Sequence, residues 1–117
     1  MIWTVFQVAL GGAIGSVLRY LTVAAFTAPL ATFLVNVVGC FVMGILSVSL
    51  ASRALVSPLL MTGILGGFTT FSAFSLDALK LWQSGQPISA LAYIGGTVVL
   101  SLTAVALGAA LARGAFA

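Results

Sequence analysis

The sequence predicts an all-α integral membrane protein, a single domain of four transmembrane helices, and three observations carry that reading. Of 117 residues, 62% are hydrophobic and only 4% are charged. The mean hydropathy is +1.32. Soluble domains carry roughly 25% charged residues, so this composition cannot build a water-facing surface. A bilayer core needs about 20 apolar residues per helix, and four such blocks fill the chain, expected at 2–26, 30–51, 56–81 and 88–112.

The first block is interrupted by Gly11, Gly12, Gly15 and Arg19. Met1-Ile2-Trp3-Thr4 offers no basic leader and the block is too long for a signal-peptide core, so the helix is expected to remain in the mature protein. Gly11-x-x-x-Gly15 and Gly12-x-x-x-Ser16 are small-residue pairs that predict close contact with another helix. Arg19 either snorkels to the interface or stays half-buried and attracts an anion.

The second block starts after Pro29, a residue suited to a helix start, and contains no charge before Arg53. Thr32, Asn36 and Cys40 recur every four residues and so share one face. Asn36 is the expensive member in hydrocarbon. It serves either a helix-to-helix hydrogen bond or a polar pathway. Cys40 is the only cysteine, which excludes an intrachain disulfide and suits a small packing residue.

The third block carries Gly66-Gly67-Phe68-Thr69-Thr70-Phe71-Ser72-Ala73-Phe74-Ser75, and a break in the helix is expected at Gly66-Gly67. Broken helices expose carbonyls at one end, which suit cations, and N–H groups at the other, which suit anions. They mark ion sites near the midplane in many transport proteins. Ser72 or Ser75 is expected to cap the restarted helix. Phe71 and Phe74 share a face, and an aromatic ring has a positive edge that can meet an anion without a fixed charge.

After the Gln83-Ser84-Gly85-Gln86-Pro87 turn, the fourth block repeats Tyr93, Thr97 and Ser101 at intervals of four. Three hydroxyls in line form either a track for a polar solute or a stripe bonded to its own helix.

Charge bears on orientation. Arg19 and Lys80 fall towards one side of the bundle, Arg53 and Arg113 towards the other. Insertion follows the excess of Lys and Arg on short loops, and here neither side has one. Dual topology is expected, with copies in both orientations pairing as an antiparallel homodimer. Enzyme chemistry is not expected, since the chain has no histidine and one carboxylate, Asp77. Nothing suggests a nucleic-acid partner.

Three strings carry a resemblance. Gly11-Gly12-Ala13-Ile14-Gly15-Ser16-Val17-Leu18-Arg19-Tyr20, Asn36-Val37-Val38-Gly39-Cys40-Phe41 and the run from Gly63 to Ser75 resemble, in order, the signature regions of the Fluc fluoride channels, also called CrcB proteins. The resemblance implies two antiparallel subunits around two fluoride pores and one structural sodium ion that is not transported. It implies that Asn36, Phe71 and Phe74 lie on the fluoride route, with Tyr93 and Ser101 matching less specifically. It also implies that the carbonyls of Gly66 and Thr69 hold the sodium ion. Thr32 and Thr70 add hydroxyls that fit such a pore. Asp77 stands where some members have a glutamate, and its role stays open. The expected function is passive export of cytoplasmic fluoride across a prokaryotic inner membrane. The alternatives are a proton-coupled cation exporter of the small multidrug-resistance type, which lacks its first-helix carboxylate here, and a non-transporting membrane assembly subunit.

Overall fold

A computed structural model describes residues 1–116. The elements are α1 (Ile2–Phe26), α2 (Leu30–Ser49), a π-wound α3 (Pro58–Leu65), the single turn α4 (Gly66–Phe68), α5 (Phe71–Gln83) and α6 (Pro87–Phe116). Among the described residues, four helical spans are long and apolar enough to cross a membrane, the third running from Pro58 to Gln83. The protein is an all-helical, multi-pass membrane protein.

The third span departs from the sequence expectation in two ways. Gly66 and Gly67 do not interrupt it, for both lie inside α4. The non-helical residues are Thr69 and Thr70, with φ/ψ of −83°/155° and −153°/119°. Nor do Ser72 or Ser75 cap the helix that restarts at Phe71. Thr70 does so, its Oγ1 accepting from the Ala73 N–H at 3.1 Å, which satisfies one of the donors left open at a helix start. Ser75 instead donates to its own helix at Phe71 O, 2.9 Å away.

Two helix pairs organise the subunit: α2 lies along α6, and α1 lies along α3 and α4, while α5 rests on α6. Glycines make both contacts possible. A Cβ at Gly11 would fall 2.8 Å from Gly63 Cα, and one at Gly15 would collide with the Ile64 carbonyl. Across the other seam, a Cβ at Gly44 would strike the Val105 carbonyl, and one at Gly108 the Phe41 carbonyl. Backbones that approach this closely gain dispersion contacts, which replace the hydrophobic drive that lipid removes.

Buried polar groups add tethers. Gln7, 8% exposed on α1, donates through Nε2 to the Leu55 carbonyl at 2.6 Å. This fixes α1 to the connection that leads into α3. Much of the apolar surface remains uncovered: Ile2, Leu21, Phe71, Val99 and Leu102 are all exposed. Such a surface suits lipid or a further protein face.

Candidate functional site

The joint at Thr69–Thr70 organises the polar residues. Asn36, on α2, reaches it with both ends of its amide: Oδ1 accepts from the Thr70 N–H at 2.8 Å, and Nδ2 donates to the Thr70 carbonyl at 3.0 Å. The side chain thus pairs with the joint's peptide groups. Arg19, half-buried on α1, donates through Nε to the Gly67 carbonyl at 3.1 Å. It does not snorkel to a loop, so the loop charges reduce to Lys80 on one side and Arg53 with Arg113 on the other.

A cavity of about 300 Å³ opens beside this joint, lined by Asn36, Cys40, Thr69, Thr70, Phe71, Phe74, Thr97, Val98, Ser101 and Leu102. Three elements supply its polar groups because each brings a different register to one place. Helix α2 contributes Asn36 and Cys40, one turn apart. Helix α6 contributes Thr97 and Ser101, also one turn apart. The joint contributes Thr69 and Thr70.

The phenylalanines complete the wall. Phe74 is 7% exposed while Phe71 is 78% exposed, and their rings meet edge to face with centroids 5.5 Å apart at 62°. Phe74 also lies 5.3 Å from the Tyr93 ring, tilted by 48°. Tyr93 O–H points on towards Asp77 Oδ2, 3.4 Å away. An aromatic row therefore links the cavity to the one carboxylate of the chain.

Two hydroxyls, Thr97 Oγ1 and Ser101 Oγ, are enclosed without a hydrogen-bond partner. Threonine and serine in membrane helices ordinarily bond the carbonyl one turn back. These two do not, so they retain donor capacity at the cavity wall. Buried polar groups of this kind cost free energy unless something meets them.

The sequence-derived residues divide accordingly. Asn36, Thr70, Phe71, Phe74 and Ser101 converge on the cavity. Tyr93 stands behind Phe74. Thr32, 2% exposed, is packed in the interior and does not line the cavity. Residues spaced by four drift roughly 40° per step around a helix, so the i, i+4, i+8 stripe turns Thr32 away from Cys40. Cys40 itself lines the wall, where sequence reasoning expected only packing. The side chain of Thr69, one of the hydroxyls expected beside the break, also lines the wall, and its position beside the Gly39 Cα leaves no room for a Cβ there.

Among the described residues, no group of three His, Cys, Asp or Glu side chains could hold a metal. Backbone carbonyls at the joint are another source of oxygen donors. Gly66 and Thr69 are open to this chemistry because their usual helical donors point elsewhere: Thr70 N–H goes to Asn36 and Ala73 N–H to Thr70 Oγ1.

The chain is similar to known proteins over almost its whole length. A family model described as CrcB-like protein, Camphor Resistance (CrcB), matches residues 6–109. A Paracoccus denitrificans protein named fluoride-specific ion channel FluC is 50% identical over 121 residues, covering 97% of this chain and 98% of the relative. A Cereibacter sphaeroides protein of the same name is 52% identical over 123 residues, with 97% and 98% covered. One from Rhizobium etli is 50% identical over 118 residues, with 92% and 94% covered. From this match along both chains, and from the three motifs that meet at the joint, the chain belongs to the CrcB-like family.

Proposed function

We propose that this protein is a passive, fluoride-selective ion channel that lets cytoplasmic fluoride leave the cell, working as an antiparallel, dual-topology homodimer in a prokaryotic inner membrane. The observation that carries the reading is the cavity at the joint, where phenylalanine rings and uncharged donors converge in a chain about 50% identical to proteins named fluoride-specific ion channels. The chain is a channel protein and not an enzyme.

The chemistry fits a small, strongly hydrated anion. A pore must replace water with donors and positive edges, yet bind weakly enough to release the ion. The cavity wall offers the Asn36 amide, the hydroxyls of Thr70, Thr97 and Ser101, and the rings of Phe71 and Phe74. None of these is charged. Arg19 is close enough to the joint to raise the local positive potential while its Nε is held by Gly67 O. Tyr93 continues the row beyond Phe74, and Thr32 is a further hydroxyl, buried in the interior.

The functional discontinuity of the third span is the extended Thr69–Thr70 pair. The carbonyls of Gly66 and Thr69 would hold a structural sodium ion, one pair from each copy. The donor set fits: both oxygens have lost their helical N–H partners, and Gly66 is exposed at the surface of the single subunit. Bound there, the ion would supply a fixed positive charge joining the two copies. The uncovered faces, with Phe71 78% exposed, are the surfaces that a second copy and lipid would cover. With Arg19 counted out, the loop charges differ by one, which leaves the orientation signal weak.

Purified protein in liposomes tests the reading, with fluoride and chloride efflux followed by ion-selective electrodes in sodium buffer. Fluoride efflux without chloride efflux is expected. Equal rates for both anions, or no flux of either, refute it.

A further inference from the structure

The joint at Thr69–Thr70 is held open by a side chain from another helix. In an uninterrupted helix Thr70 N–H would donate to the Gly66 carbonyl and Ala73 N–H to the Thr69 carbonyl. Thr70 N–H instead donates to Asn36 Oδ1 at 2.8 Å, and Ala73 N–H to Thr70 Oγ1 at 3.1 Å. The neighbouring carbonyls are accounted for differently. Gly67 O accepts from Arg19 Nε at 3.1 Å, and Thr70 O accepts from Asn36 Nδ2 at 3.0 Å. The side chains therefore occupy two carbonyls of the joint, Gly67 and Thr70, while Gly66 and Thr69 are among those that have lost their helical donors.

We propose that Asn36 is a positioning residue for the cation centre: by pairing with the Thr70 peptide groups, it keeps the Thr70 N–H away from the Gly66 carbonyl and leaves that oxygen for a monovalent cation. The proposal rests on the sodium reading given above and adds a residue that need not touch the ion. A carbonyl that accepts an N–H has a partial positive charge beside it and one lone pair used, both adverse to a cation. Continuing the helix through Thr70 would restore that bond. The two-point pairing explains why an amide stands here, since a carboxylate can only accept and an apolar side chain can do neither.

Asn36 also lines the anion cavity. One amide thus spans two sites of opposite charge: its oxygen serves the cation centre through Thr70 N–H, and its nitrogen side faces the joint beside the cavity. Cation binding and anion passage are coupled through one side chain and the two peptide groups that flank Thr70, not through a chain of packed residues.

The test compares the full-length protein with Asn36→Leu and Asn36→Asp, with two measurements on each preparation. Thermal unfolding is followed in detergent across a sodium chloride series, with N-methylglucamine chloride keeping the ionic strength constant. Fluoride efflux is measured in liposomes at matched sodium. The unsubstituted protein is expected to be stabilised by sodium. Asn36→Leu is expected to move the sodium midpoint upward about tenfold, the size of one restored hydrogen bond. Asn36→Asp keeps the acceptor, so its midpoint stays at the unsubstituted value or falls below it, while its fluoride efflux drops because a carboxylate then lines the anion cavity.

Asn36→Ala removes both contacts without adding bulk and carries the same expectation if the leucine variant does not fold. An unchanged midpoint in Asn36→Leu or Asn36→Ala overturns the proposal, as does a loss of sodium response in Asn36→Asp equal to that in Asn36→Leu. Absence of sodium stabilisation in the unsubstituted protein overturns both this proposal and the sodium reading. Fluoride efflux from that same preparation then shows separately whether the channel reading stands.

Discussion

Replacing Thr70 by valine removes one hydroxyl and little else, and the structure says what that hydroxyl does. Its Oγ1 accepts the Ala73 N–H at 3.1 Å and pairs with Ser72 Oγ at 3.2 Å. Valine has nearly the same shape but no acceptor. Losing a helix N-cap costs about 0.5–2 kcal/mol, and an amide left unpaired in a half-buried place lies towards the upper end. A loss of 1–2 kcal/mol changes a local opening equilibrium by a factor of about 5–30. Hydrogen–deuterium exchange read by mass spectrometry in detergent should show that acceleration at the start of α5 in Thr70→Val. Thr70→Ser, which keeps the oxygen, should exchange within about threefold of the unsubstituted protein, the usual scatter for a serine-for-threonine cap. The Asn36 pairing uses only Thr70 backbone atoms, so the sodium response should survive in both variants. Unchanged exchange in Thr70→Val would mean that Ala73 N–H reaches the Thr69 carbonyl instead, and the capping argument would fail.

Three further expectations follow from the same geometry. Phe71→Ile and Phe74→Ile should each lower fluoride efflux from liposomes by about tenfold or more, corresponding to about 1.4 kcal/mol of barrier, while chemical crosslinking still traps a dimer; unchanged flux in both would end the ring-edge mechanism. Gly15→Ala places a methyl against the Ile64 carbonyl and should destabilise the protein by about 1–3 kcal/mol in thermal unfolding, whereas Gly12→Ala, with open space around its Cβ, should be tolerated. Adding a lysine beside Arg53, or alternatively beside Lys80, should drive a topology reporter in opposite directions if the orientation signal is as weak as the loop charges imply; a reporter indifferent to both additions would count against dual topology.

How far the sequence revealed the molecule depended on the range of each interaction. Spans were legible because the bilayer imposes a length and a composition that any window of residues displays. The small-residue pairing of Gly11 and Gly15 was legible for a similar reason, since close helix contact leaves a four-residue repeat. The position of the joint was not. Glycine was expected to break the third span, but Gly63 and Gly67 serve close contact with α1: a Cβ on Gly67 would sit 2.7 Å from the Gly12 carbonyl. The side chain that pairs with the joint is Asn36, 34 positions earlier in sequence than Thr70. No local propensity can report a hydrogen bond of that span. Asn36 was singled out, because an amide in hydrocarbon demands an explanation, but its partner could be seen only once α2 was placed beside the joint. Thr32 is the opposite case, where a four-residue repeat suggested a continuous line and the first member is buried in the interior, away from the cavity wall.

The third span answers to two masters. Its first half, through α3 and α4, is seamed to α1 by glycines and fastened at Gly67 by Arg19. Its second half, α5, rests on α6 and is fastened at Thr70 by Asn36 of α2. The subunit is therefore two interleaved clasps, one built from α1 with α3 and α4, the other from α2, α5 and α6, joined by the α1–α2 and α2–α3 connections and, within the third span, by a single dipeptide. Damage should sort by clasp: substitutions in the glycine seam should loosen the first while sparing the cavity wall, and substitutions in α6 should do the reverse. Only changes at the shared dipeptide, or in the two side chains that strap it, should be felt in both.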